Sequence, residues 1–428
     1  MSKLTLGFAG MTHLGTCSSV AASIRGNNVV AFDTDKQVIT KRLMGQFDSA
    51  EPGIEDFFQN LPNNYQLTNN VSDLKKCDLV MISIDSPIDE AGNVNSEPVE
   101  KYFNLVSQTI DSNVPIIILS QVRPGFTRKI YKFRSETYYQ METLIFGQGL
   151  ERALNPERYV IGLVDETEPL NKKYEEYLRQ GNCQLLLMNF ESAELTKLSA
   201  NFFLASTITA TNTLAALSSK LGANWRQIAE SLKLDRRIGP YAYLNAGLGI
   251  GGSNIIRDVI GIREMARVQG TDASIVDAML KNSEFSKNWL MRQLSEIIPL
   301  VDSPRIGILG LSYKQNTDST IGSSGVKTAR SISGIFPTFV YDPVVKEDKV
   351  LIPHAKWVKS AQEVVSSVDI VIISTEWKEF TTEEFGVLLL NSQIKFIIDP
   401  FGCQLNLKNK ISKINYRTLG EVVGMEKL

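Results

Sequence analysis

Short apolar runs alternate with amphipathic stretches along the first half of the chain. Leu4 to Ala9 reads as a strand, Thr16 to Arg25 as a helix of small residues, and Asn28 to Phe32 as a second strand ending at Asp33. Asp78 to Ile84, Val114 to Leu119 and Tyr159 to Val164 are further candidates for buried strands. Such β-branched runs, separated by helical segments, predict a parallel sheet covered on both faces. At Ser192 the pattern changes. From there to about Leu221 it predicts one long helix, with no Pro or Gly before Gly222. More helix follows, broken at Gly239-Pro240 and at the cluster from Gly247 to Gly252, with a further stretch from about Ile262 to Ile298. Strands restart after Ser303-Pro304, at Arg305 to Leu309, Phe339 to Tyr341, Asp369 to Ser374 and Ile394 to Ile398. The expected organisation is two α/β domains, residues 1–190 and 299–428, joined by a helical segment over residues 191–298.

Between the first strand and the first helix lies Gly10-Met11-Thr12-His13-Leu14-Gly15, the spacing of GxGxxG with Thr12 at the middle glycine. In that fingerprint the first glycine makes the turn, the second admits a pyrophosphate, and the third lets helix pack on strand. The helix N-terminus offers free N–H groups to the phosphates. Asp33, 18 residues after Gly15, is placed to accept hydrogen bonds from an adenosine ribose. A carboxylate there favours NAD over NADP, because it would repel a 2′-phosphate. A tight turn by itself needs no dinucleotide, but strand, turn, helix, strand and acid in this order argue for a doubly wound, Rossmann-like domain that binds NAD. His13 reads as a surface or phosphate-side residue. Cys17, in the first helical turn where the dipole could lower its pKa, reads as packing.

A chain of 428 residues is longer than one core normally organises, which agrees with several domains. Lys plus Arg number 45 against 47 Asp plus Glu, a net charge of −2 that gives no reason to expect nucleic acid or an anionic membrane. A local basic pocket for a small anion is still compatible with it. No apolar run approaches the roughly 18 residues of a membrane span, and the N-terminus lacks a signal-peptide core, so a cytoplasmic setting is expected. Cys17, Cys77, Cys183 and Cys403 are widely spaced without a CxxC pair, which suits reduced thiols and not a disulfide scaffold or a zinc site. His13 and His354 are the two histidines, too few for a multi-histidine centre, and no metal is expected.

Several segments, in order, resemble motifs of the UDP-glucose/GDP-mannose dehydrogenase family. Glu51-Pro52-Gly53-Ile54 resembles Glu-Pro-Gly-Leu, and Ile84-Asp85-Ser86-Pro87 resembles Val-Pro-Thr-Pro, whose hydroxyl residue lies near the cofactor. Ser120-Gln121-Val122-Arg123-Pro124-Gly125 resembles Ser-Thr-Val-Pro-x-Gly. The central-helix motif is matched by Glu194, Leu195, Lys197 and Asn201. Arg237-Ile238-Gly239 follows, then Gly249-Ile250-Gly251-Gly252-Ser253-Asn254 with Arg257-Asp258. Gly310-Leu311-Ser312-Tyr313-Lys314, Asn316-Thr317-Asp318, Asp342-Pro343 and Thr375-Glu376-Trp377 complete the series. The resemblance implies an NAD domain, a helical dimerisation segment and a nucleotide-sugar domain. It implies a homodimer that oxidises the 6-hydroxymethyl group of a nucleotide sugar for polysaccharide biosynthesis, with NAD as cofactor and no nucleic-acid or membrane partner.

The same resemblance assigns roles. Lys197 supplies charge to the oxyanion, Asn201 holds a water or the alkoxide, and Asp258 supports the base. Lys197 and Asn201 lie four apart, on one helical face, beside Leu195, Leu198, Phe202 and Phe203, which should bury that face at least in part. Glu142 aligns with the glutamate of Pro-Glu-Phe-Leu and helps the hydrolytic step. Gly10, Thr12, Gly15, Asp33, Ser86 and Gln121 would contact the cofactor. Leu144, Lys197, Asn201, Arg237, Gly249, Gly251, Gly252, Ser253 and Lys314 would contact the substrate.

The departures matter as much. The family's second oxidation runs through a cysteine thioester, and that cysteine is Asn254 here. The threonine near the reacting hydroxyl is Gln121, the lysine after the glycine cluster is Arg257, and a family arginine is Ile321. The family's Asp-x-Arg-Asn is Asp399-Pro400-Phe401-Gly402. The leading expectation is an NAD-dependent oxidoreductase that stops after one hydride transfer. The alternatives are full four-electron oxidation without a thioester, Glu142 activating water, and a binding protein that has lost turnover.

Overall fold

Both faces of each central strand are buried, which is why these strands read as unbroken apolar runs. In the first sheet Leu6, Phe8, Val29, Ala31, Leu79 and Met81 enter one hydrophobic core. Their alternating neighbours Val30, Phe32, Val80, Ile82, Ile116 and Ile118 enter the core on the opposite face. The computed structural model describes residues 3–47, 51–87, 94–407 and 414–421, and the chain divides into two compact units, residues 1–200 and 201–428.

The first unit runs β1 (Thr5–Ala9), α1 (His13–Ile24), β2 (Asn28–Phe32), α2 (Lys36–Leu43), α3 (Ile54–Gln59), β3 (Tyr65–Thr68), β4 (Leu79–Ile82) and α4 (Glu97–Thr109). It continues with β5 (Ile116–Ile118), α5 (Phe126–Tyr131), β6 (Thr137–Gln140), α6 (Gly149–Leu154), β7 (Arg158–Leu163), α7 (Lys172–Arg179) and β8 (Gln184–Asn189). The sheet order is β3-β2-β1-β4-β5-β6-β7-β8. It reverses direction at β1, which lies between β2 and β4, so a ligand crevice opens beyond the carboxyl end of β1. One pairing departs from the parallel expectation: β6 and β7 are antiparallel. Their connection carries only the six-residue α6, and antiparallel neighbours need no long crossover.

The long helix α8 (Phe190–Leu221) spans 32 residues, and its residues fall on both sides of the division at position 200. It ends at Gly222, whose φ of +73° suits the left-handed stop of a helix. The second unit continues with α9 (Trp225–Leu234), α10 (Ser253–Gln269), α11 (Ser274–Lys287) and α12 (Trp289–Ile297). The helix expected from Ile262 therefore begins earlier, directly after the glycine cluster, with Gly252 as its N-cap. The second sheet is built from β9 (Ile306–Leu309), α13 (Ser324–Ile332), β10 (Thr338–Tyr341), β11 (Lys356–Trp357), α14 (Ala361–Ser367), β12 (Ile370–Ile373), α15 (Glu383–Leu390), β13 (Phe396–Ile398) and β14 (Asn415–Arg417). Its order is β11-β10-β9-β12-β13-β14, and every pair is parallel. Ile306, Ile308, Ile370 and Ile372 enter the core on one face, Leu309, Val371 and Ile373 the core on the other. Both domains are thus doubly wound. Among the described residues no helix is long and apolar enough to cross a membrane.

Candidate active site

The turn after β1 is built so that two positions tolerate only hydrogen as a side chain. Gly10 donates its N–H to the Phe32 carbonyl (2.9 Å) at a φ of +105°. A Cβ on Gly10 would lie 2.6 Å from the Ile84 nitrogen, and a Cβ on Gly15 only 1.9 Å from the Gly10 carbonyl oxygen. Thr12, at the middle position, is the N-cap of α1 but makes no side-chain cap. Its hydroxyl donates instead toward the Ser83 carbonyl (3.0 Å) and the Asp85 carboxylate (3.1 Å). The opening N–H groups of the helix are left uncapped by Thr12, the condition under which a helix N-terminus receives phosphate.

Asp33 is buried and first of all braces this turn. Its Oδ2 accepts the Met11 N–H (2.7 Å), and its Oδ1 accepts the Asp35 N–H (2.9 Å) and the Tyr102 hydroxyl (3.0 Å). Burial pushes the Tyr102 phenol up to about 12, so it donates as a neutral hydroxyl. A carboxylate has about four acceptor sites, so one remains for a ribose hydroxyl. Asp33, Thr12, His13, Thr34 and Tyr102 border a cavity of about 820 Å³, a volume in the range of a cofactor site. The Ser86 hydroxyl donates to the Gln121 carbonyl (2.7 Å), which joins the loops after β4 and β5.

Glu142 follows β6 and accepts a 2.5 Å hydrogen bond from the Gln140 amide. Burial pushes its carboxyl up, against the pull of Gln140 and of the Lys197, Arg25 and Arg152 cations. The structure therefore makes Lys197 an electrostatic neighbour of Glu142. Leu144 is half-buried against the first core. Glu194, one turn before Lys197 on α8, has a positioning part. Its carboxylate accepts the Gly125 N–H (2.6 Å) and the Thr127 N–H (2.8 Å), which ties the helix to the start of α5. Around Lys197 the apolar residues divide. Leu198 is buried as expected, but Leu195 and Phe203 are exposed, so this part of α8 is covered on one side only.

In the second unit the Asn201 amide donates to Asp258 Oδ2 (2.5 Å), and Arg257 Nε donates to Asp258 Oδ1 (2.7 Å). Asp258 and Asn201 are both buried. Arg257, at the family's lysine position, is thus the ion-pair partner of Asp258. Asn254 is exposed in the first turn of α10, and the side chain of Ser253 lies outside the described residues. A Cβ on Gly249 would lie 2.6 Å from the Ser283 carbonyl, and Cβ atoms on Gly251 and Gly252 would come within about 3 Å of the Tyr313 ring. The Lys314 ammonium stands 5.7 Å from the centre of that ring. Tyr313, a residue without an expected role, therefore joins the glycine cluster to Lys314. Arg237 is not brought to this cluster by any described contact. It is exposed and paired with its own neighbour Asp235 (2.6 Å).

All four cysteines are unpaired. Burial pushes each thiol up, Cys77 to about 12, and Cys17, Cys183 and Cys403 likewise upward. For Cys17 this agrees with its reading as a packing residue: it is buried, and loss of water disfavours the thiolate.

Three models of one family match the chain in order. They are the NAD binding domain over residues 4–177, the central domain over 191–284 and the UDP binding domain over 307–404 of the UDP-glucose/GDP-mannose dehydrogenase family. The chain is 26% identical over 412 residues to a UDP-glucose 6-dehydrogenase of Rickettsia bellii, covering 92% of this chain and 94% of that one. It is 29% identical over 398 residues to the same-named protein of Rickettsia typhi, covering 88% and 90%. In fold it resembles a UDP-glucose dehydrogenase from Pyrobaculum islandicum, with a TM-score of 0.83, 24% identity and 98% of each chain covered. The glycine turn with its NAD domain, the helix that carries Lys197 and Asn201, and the second nucleotide domain all fall within these matches, and the chain belongs to the UDP-glucose/GDP-mannose dehydrogenase family, the NAD-dependent dehydrogenases of nucleotide sugars.

Proposed function

We propose that this dehydrogenase oxidises the 6-hydroxymethyl group of a UDP-sugar-like substrate once, to the aldehyde, and releases it. The observation that carries this reading is the joining of Asn201, Asp258 and Arg257 in a chain that has Asn254 at the thiol position. NAD, when bound, supplies the hydride acceptor. Lys197 stabilises the negative charge that develops on the substrate oxygen. Asp258 fixes the Asn201 amide, which holds the alkoxide or the water that takes up the hydroxyl proton. An amide at 254 cannot form a thioester, and none of the four thiols is lowered toward the thiolate.

The names of the Rickettsia relatives support a UDP-sugar as substrate class. A homodimer is supported by Leu195, Phe203, Leu214, Leu217 and Leu221, which are exposed along α8. At 3.6 residues per turn they fall on one stripe of the helix. Unpaired cysteines suit a cytoplasmic setting. One observation favours a second reading, oxidation through to the carboxylate by way of the aldehyde hydrate: Glu142 has a carboxyl held above its ordinary range and stands near Lys197, as a base for water would. Mass analysis of the product formed from UDP-glucose and related nucleotide sugars with NAD tests the proposal. A product lighter by two hydrogens supports the single step. A product that has also gained an oxygen supports the second reading, and no product from any sugar contradicts both.

A further inference from the structure

His13, Cys17 and Glu51 direct a nitrogen, a sulfur and an oxygen to one place beside the glycine turn. His13 and Cys17 are one turn apart on α1 and share a face. Glu51 arrives from the segment before α3. His13 Nε2 lies 2.8 Å from Glu51 Oε2 and 3.6 Å from Cys17 Sγ, and the three donor atoms all lie within 4.8 Å of one another. Opposite them stands Gly149, the first residue of α6. A Cβ there would lie 2.9 Å from His13 Cε1, 3.0 Å from Cys17 Sγ and 3.2 Å from Glu51 Oε2. All three side chains pack against the bare glycine, closer than a larger residue there would allow.

We infer that this cluster is a site for a divalent cation of the zinc type. Tetrahedral zinc, with sulfur at about 2.3 Å and imidazole nitrogen at about 2.0–2.1 Å, sets the sulfur–nitrogen edge at about 3.6 Å, and the edge here is 3.6 Å. The nitrogen–oxygen edge must widen by about 0.6 Å from its hydrogen-bond length to meet the same geometry. A small swing of Glu51 Oε2 supplies that, while Oε1 stays on the Gly149 N–H (2.6 Å) as outer support. Without a cation, one ring nitrogen faces both a carboxylate and a thiol and has one proton or one lone pair to offer them. A cation satisfies both. Uptake transfers the Cys17 proton to solvent and forms a metal–thiolate bond, with no change of oxidation state. The widely spaced cysteines give no sign of this in the sequence, because Glu51 is brought in by the fold.

Titration of Co²⁺ alone into the metal-free full chain tests the site, independently of any sugar oxidation. One equivalent is expected to bind, with a near-ultraviolet thiolate-to-cobalt band. Cys17→Ser and His13→Gln are each expected to lose that band, and Gly149→Ala, whose methyl group pushes the three side chains out of position, to lose it as well. A chain that takes up no cobalt, or a band that survives Cys17→Ser, overturns the inference. Should the variants not fold, the melting temperature of the unaltered chain decides: Zn²⁺ alone raises it if the folded state holds the ion, and an unchanged value overturns the site.

Discussion

Asp33 and Asp342 hold equivalent places in the two sheets. Each follows the strand next to its domain's first strand, and each accepts the N–H of the residue after a glycine: Met11 to Asp33 at 2.7 Å, Leu311 to Asp342 at 2.6 Å. Gly10 and Gly310 donate in turn to the carbonyls of Phe32 and Tyr341, both at 2.9 Å. Ser83 and Ser374 close the same turns through the Gly10 and Gly310 carbonyls. The two acids differ in what they have left. Asp342 also receives Ser312, Val344, Val345 and the Trp377 ring nitrogen, which exhausts a carboxylate, whereas Asp33 retains capacity.

From this difference, Asp33→Asn should weaken NAD binding roughly tenfold, the worth of a hydrogen bond to a charged group at about 1.5 kcal/mol. Asp342→Asn should lower thermal stability with NAD affinity unchanged. Calorimetric titration with NAD and melting curves of both variants check this.

Gly15→Ala places a methyl group 1.9 Å from the Gly10 carbonyl oxygen. The backbone must move, at a cost of about 1–3 kcal/mol, and the turn that would receive the diphosphate moves with it. Loss of NAD binding together with a lower denaturation midpoint is the expected result.

Asn201→Ala removes a donor from buried Asp258. Leaving a buried acceptor short of a partner costs about 1–3 kcal/mol, measurable in urea. Turnover should fall more than substrate affinity, since the amide is asked to act in the proton transfer.

Glu142 has its carboxyl held up, chiefly by burial. If it acts as a base, the rate should rise with pH through a value above the ordinary carboxylate pKa of about 4.3, and Glu142→Gln should remove that limb. The stability sign is the reverse: a raised folded-state pKa contributes stability at low pH that is lost as pH rises through it. A pH series of rates and melting temperatures on both proteins separates the two.

The inner strands other than β6 were legible because burial on two faces leaves mostly apolar, β-branched residues there; β6 was not, because its Thr137-Tyr138-Tyr139-Gln140 is buried but does not read as an apolar run. β3 and β8 were not, because edge strands such as Gln184–Asn189 keep polar and partly exposed side chains. In the candidate site, the glycine turn was legible from local spacing. The bond from Asn201 to Asp258 joins positions 57 apart, and Glu51 meets His13 across 38 residues. Spacing alone does not contain such pairs. The contact of Tyr313 with the glycine cluster, and the bracing of the turn by Asp33, leave no local signal for the same reason.

The count of NADH formed for each sugar consumed bears most directly on the proposed chemistry. One per sugar, rising toward two when Asn254→Cys supplies a thiol, is the predicted result. Two per sugar in the unaltered chain would contradict it.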